Sequence, residues 1–177
     1  MRSRHVIRGV AIVVGLLVVL AANPGIAAAG FSELVQGEPG LEFSMATSHL
    51  EPGERTTVSV AVTNSGEIID GGIPQFESQV QTAQGVTLEV EDRADRPFEV
   101  KSGPVALGPI QDGQTRVATF TLELDEDASP GTYDLPLTAS YDHTRIVGYD
   151  PIQQEPGYTD VEYVTRSDTT DGDVPLV

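Results

Sequence analysis

The sequence has no cysteine and no tryptophan, only ten basic residues, and three histidines in 177 positions. Without cysteine there are no disulfides, no thiolate nucleophile and no zinc–thiolate site, so any domain formed by this chain is held by its core alone. The shortage of basic side chains, ten against 27 acidic ones, leaves a formal charge of −17. A phosphate backbone is therefore excluded as a natural partner, because nucleic-acid binding needs basic patches that displace counterions. Scarce histidine and the lack of a Gly-x-Ser-x-Gly elbow leave little for nucleophilic chemistry, and no enzyme is expected. His143, next to Asp142, reads as a solvated strand end, and His49, at the mouth of a turn, as exposed. No Asn-x-Ser/Thr acceptor for N-glycosylation is present.

Long apolar runs are also missing, with one exception at the N-terminus. Arg2, Arg4 and Arg8 precede an uncharged, mostly apolar stretch of 14 residues, Gly9 to Ala22. Asn23-Pro24-Gly25 breaks it ahead of Ala27-Ala28-Ala29, a small-x-small pattern that places cleavage between Ala29 and Gly30. As a helix that stretch would rise only about 21 Å against a hydrocarbon core of roughly 30 Å. Residues 1–29 are thus expected to be a signal peptide and the chain to be exported, to the extracellular space or the cell surface. An uncleaved segment would instead leave it anchored. All 27 acidic residues but only seven basic ones follow residue 29, which raises the charge of the remainder to −20. With a single lysine, Lys101, and free use of Arg, Asp, Glu, Thr and Val, this profile resembles that of proteins from extreme halophiles.

The rest is organised around Leu50 to Gly66. Pro52 presets φ for the second position of a turn and Gly53 accepts a positive φ at the third, so Glu51 to Glu54 reverses the chain. Val58, Val60 and Val62 then fall on one face of a strand, with Thr57, Ser59, Ala61 and Thr63 on the other, the pattern of an antiparallel strand buried on one side. Asn64-Ser65-Gly66 ends it, through residues that tolerate left-handed backbone. The same alternation predicts strands over Leu41–Thr47, Gln75–Thr82, Gly85–Glu91, Phe98–Lys101, Thr115–Leu124, Tyr133–Tyr141 and Thr159–Arg166. Glu67–Pro74 and Asp142–Tyr158 read as loops and Pro104–Ile110, broken by Pro109, as irregular or an edge. Pro136, inside a strand, demands an edge or a bulge at its missing amide. Seven or eight short strands with turn signals every ten residues or so predict an all-β fold, an antiparallel β-sandwich with no helix except that of the signal segment. The expected layout is a linker over 30–40, a sandwich over 41–166, and an acidic tail, or the start of a further linker, over 167–177.

Leu50-Glu-Pro-Gly-Glu, the following Val-x-Val-x-Val-x-Asn-x-Gly, and Ser129-Pro-Gly-Thr-Tyr-Asp-Leu-Pro-Leu-x-Ala-x-Tyr141 resemble the immunoglobulin-like modules of haloarchaeal S-layer-domain-like exported proteins. Those are akin to adhesion-related and sialidase-associated modules. The resemblance implies a non-enzymatic surface module with a structural or protein-interaction role in the cell envelope, partnered by an envelope or membrane protein. The alternatives are a carbohydrate- or calcium-binding accessory module and an accessory domain of a membrane transporter. No cofactor is expected. Asp125, Glu126 and Asp127 are the candidates for calcium, although neighbouring strand residues point to opposite faces and a solvated acidic turn is favoured. Tyr149, Tyr158 and Tyr163, crowded into a long loop and the closing strand, are the candidate contact surface. Tyr133 and Tyr141 read as core or tyrosine-corner residues.

Overall fold

A computed structural model describes residues 31–45, 49–91, 96–150 and 161–177, and Phe31–Val177 forms one compact unit. The fold is an antiparallel, all-β sandwich. Its centre is the pairing of β3 (Arg55–Asn64) with β8 (Thr115–Leu124), which sets Val58 opposite Phe120 and Val60 opposite Ala118. All four side chains are buried, because the two-residue period of both strands turns the same face to the core. β2 (Leu41–Met45) and β6 (Phe98–Val100) flank this pair to complete a four-stranded sheet, β2-β3-β8-β6.

The facing sheet is built on β9 (Tyr133–Tyr149). Along one side β9 carries β5 (Ala83–Val90) and then β1 (Glu33–Glu38); the other side is taken by β10 (Val161–Leu176). β7 (Val105–Ile110) adds outside β5, and β4 (Glu67–Asp70) outside β1. The order β2-β3-β8-β6 against β10-β9-β5 is that of the two sheets of an immunoglobulin-like fold. Val86, Leu88, Leu135, Leu137, Val174 and Leu176 close the core from this side. Tyr133 is half-buried, and its hydroxyl donates to the Ser129 carbonyl four residues upstream, as in a tyrosine corner.

Several segments differ from the sequence-based expectation, and the strands number ten among the described residues rather than seven or eight. The linker assigned to 30–40 contains β1. Its sequence hides the strand because only Val35 and Gly37 face inward, and Gly37 is required there: a Cβ would lie 2.6 Å from the Glu67 carbonyl oxygen. The loop over Glu67–Pro74 contains β4, its partner. Gln75–Thr82 is not a strand; Pro74–Val80 is helix α1. Phe76 and Val80, four residues apart, satisfy a strand period and a helical one alike, and Pro74 at the first helical position decides between them. β9 continues past Tyr141 to Tyr149, into the region read as a loop.

The tail assigned to 167–177 is most of β10. Its side chains are polar because β10 pairs with β9 beyond the rim of the core, and of this tail only Val174 and Leu176 are buried apolar side chains. The sandwich therefore runs from Glu33 to Leu176. Pro136 lies on neither an edge strand nor a bulge: its carbonyl accepts from Glu91 N–H, just past the last residue of β5. The missing amide thus falls where the β5 ladder has already ended. The signal segment, 1–29, lies outside the described residues.

Candidate functional site

β1, α1 and the far end of β9 enclose a second, smaller core of Val35, Phe76, Val80, Val147 and Tyr149. Tyr149 packs its ring 5.0 Å from that of Phe76 and is 6% exposed. It is a core residue and not a contact surface, because the alternation of β9 turns Val147 and Tyr149 toward α1. Gly72 makes room for it; a Cβ there would stand 2.9 Å from the Tyr149 hydroxyl. Tyr163, opposite Val147 on β10, is 48% exposed, and Tyr158 lies outside the described residues, as do Ala27, Ala29 and Gly30 of the cleavage pattern. The structure does not assemble the described tyrosines into one platform.

Asp125, Glu126 and Asp127 are exposed on a turn closed by Ala128 N–H to the Asp125 carbonyl. Among the described residues no three His, Cys, Asp or Glu side chains stand close enough to share a metal ion. His49 lines an apolar concavity of about 270 Å³ at the end of the sandwich where both Pro-Gly turns meet Val177. Leu50 N–H donates to the Val177 carbonyl there, 3.2 Å away.

His143 is not a solvated strand end. It is 3% exposed, and its Nε2 lies 2.9 Å from Asp168 Oδ2 on β10. Its Nδ1 is buried with no hydrogen-bond partner among the described residues. Tyr141 leans toward the same imidazole, ring centroids 6.1 Å apart, and bonds the Thr170 hydroxyl at 3.4 Å. Burial raises the Tyr141 pKa above its ordinary value, and the negative charges of Asp168 and Glu38 push the same way. These contacts clamp β10 to β9 from the inner side.

The outward side of the same ribbon holds the larger concavity, a shallow polar depression of about 480 Å³ bordered by Gly85, Thr87, Ser140, Asp142, Ser167 and Thr169. Ser167 donates to Asp142 at 2.5 Å, and the Thr138 hydroxyl lies 2.8 Å from Asp171 and 3.1 Å from Glu91. Asp142, Asp171 and Asp173 have no basic partner among the described residues. The face therefore carries concentrated negative charge beside a sheet edge.

Sequence reasoning missed this region because its alternation is written in Ser, Thr and Asp rather than in apolar residues. The readable signal was Val174 and Leu176, two positions apart. No protein-family model matches the chain, and no curated protein matches it in sequence. Among the described residues no helix is long and apolar enough to cross a membrane.

Proposed function

We propose that the chain is an exported, non-enzymatic immunoglobulin-like module that serves as a structural or protein-interaction domain in the envelope of a halophilic archaeon. The observation that carries this reading is β10, a strand of 16 residues that pairs with β9 alone among the described residues and lines an acidic face. A sheet edge of that length is suited to strand pairing with another protein. The basic start, apolar run and small-x-small pattern of residues 1–30 support export, and the charge of −17 supports a salt-rich setting.

Proximity crosslinking of the full-length protein in intact cells at molar salt, with intact-mass analysis of the recovered chain, tests the reading. It expects a specific envelope or membrane protein crosslinked to a chain that begins at Gly30. A chain that keeps Met1 and captures nothing, joined to a response on a glycan array or in a calcium titration in molar KCl, would replace it with an anchored accessory module.

A further inference from the structure

We infer that the free side of β10 between Ser167 and Asp173 is a strand-addition site for an extended, lysine- or arginine-bearing segment of a partner protein. The inference rests on the interaction-module reading above and names the surface and the chemistry of what it takes.

The direction of the backbone groups follows from one hydrogen bond. In an antiparallel strand the N–H and C=O of a residue point to the same side. The Pro136 carbonyl accepts from Glu91, so Pro136 faces β5 and its partner on the other side, Asp173, faces away from β9. The register is unbroken from Thr165 to Leu176, so Ser167, Thr169, Asp171 and Asp173 all present their N–H and C=O groups outward. Pro175 has the same parity, which is where a residue without an amide proton costs no ladder bond.

The other sheet edges are poorer templates. β6 has three residues, β4 four and β2 five. β7 departs twice from regular register with β5 and holds Gly108 at φ 72°. Among the described residues β10 offers the longest unbroken edge run, Thr165 to Leu176.

Charge selects the occupant. An added strand would bring alternate side chains beside Asp171 and Asp173, which have no basic partner among the described residues, with Asp142 one strand further in. A second copy would set acidic strand against acidic strand, which is unfavourable, whereas Lys or Arg at alternate positions would meet carboxylates. In molar salt the screening length is about 3 Å, so only such direct contacts keep their selectivity while the backbone ladder supplies most of the affinity.

The test is amide hydrogen exchange by NMR on the full-length protein in 1 M KCl, with two blocked nonapeptides, Thr-Lys-Thr-Lys-Val-Lys-Thr-Lys-Thr and the same sequence with Glu for Lys. In the free protein Thr170 and Gly172 exchange slowly and Ser167, Thr169, Asp171 and Asp173 exchange fast. The basic peptide slows the second set, and the acidic one does not. Thr169→Pro removes one outward donor and weakens the basic peptide about tenfold, with Thr170 and Gly172 still protected as proof that the ribbon is intact. In the paired variant Asp171→Lys, Asp173→Lys, the preference passes to the acidic peptide. Protection at another edge, equal protection by both peptides, or protection that rises with protein concentration and no peptide would overturn the inference. A cellular crosslink mapping to β7 or to the β1–β4 end would also overturn it while leaving the interaction-module reading intact.

Discussion

Asn64 Nδ2 donates to the Gln81 carbonyl at 2.7 Å, joining the last residue of β3 to the segment that leads from α1 into β5. The same nitrogen reaches the Ile110 carbonyl at the end of β7, and Asn64 Oδ1 accepts from Gly40 N–H at 3.0 Å. Its own N–H and C=O bond Gln114 and Gly113. One fully buried residue thus ties the β1–β2 crossover, the end of α1 and β7 through its side chain, and the β7–β8 turn through its backbone, to the end of the central strand. Every donor and acceptor of the amide is used, which is how a buried polar group is kept at little cost.

Asn64→Ala leaves the Gly40 amide and two carbonyls without partners. At about 1–3 kcal/mol for each buried group left unmade, the expected loss of unfolding free energy is about 3–5 kcal/mol. Asn64→Asp keeps the bond from Gly40 but sets a carboxylate oxygen against two carbonyl oxygens, so it falls in the same range. Chemical denaturation of both variants in molar KCl checks this, and a loss under about 1 kcal/mol would show that water replaces the side chain.

The two Pro-Gly turns look alike in sequence and behave differently in structure. Gly53 has φ 75°, with Glu54 N–H bonded to the Glu51 carbonyl, whereas Gly131 has no positive φ and open space where a Cβ would stand. Gly53→Ala therefore costs about 1–2 kcal/mol of backbone strain. Gly131→Ala stabilises by about 0.5 kcal/mol through the unfolded chain. Thermal unfolding of the two variants should move in opposite directions.

On the outward face of the β3–β8 pair, Glu123 Oε2 accepts from Arg55 Nε at 2.7 Å, and Lys101 Nζ stands 3.4 Å away. The hydrogen bond from Arg55 is the main cause that lowers the Glu123 pKa from its ordinary 4.5. A carboxylate depressed in the folded state stabilises above its unfolded value, and that contribution is lost as pH falls through 4.5 and below. Wild type should exceed Glu123→Gln in stability at neutral pH and converge with it in acid. The difference is small because the pair is exposed. A gap that widens on acidification would contradict this.

The charge of −17 opposes compaction, and screening shortens from about 30 Å at 0.01 M salt to about 3 Å at 1 M. The thermal midpoint of the protein should rise with KCl over that range and flatten once screening is shorter than the spacing of surface carboxylates. A midpoint that stays level or falls would mean that bound cations or local ion pairs already offset the repulsion at low salt.

The elements legible in the sequence are those whose burial is written in apolar residues. Val58, Val60 and Val62, Val86, Leu88 and Val90, and Phe120, Leu122 and Leu124 are buried as their alternation requires. α1 was ambiguous because Phe76 and Val80 fit both periods. β1 and most of β10 were invisible because they earn their place through backbone pairing with β9, which leaves no mark in side-chain hydropathy. Asn64 was legible as a stop but not for its reason: among the described residues none other than glycine has positive φ, and the strand ends there because its side chain bonds the backbone of three other segments. Gly66 likewise serves close approach rather than left-handed backbone, since a Cβ would sit 2.7 Å from that of Gln81.

By itself the sequence determined the fold class, the central strand pair and the acidic character, because period-two burial and net charge are local or additive properties. Only the tertiary structure decided that Tyr149 and His143 are buried, that β10 closes the sheet, and which of its backbone groups face solvent. Those depend on the register between strands far apart in the chain, and a register is a property of the pair.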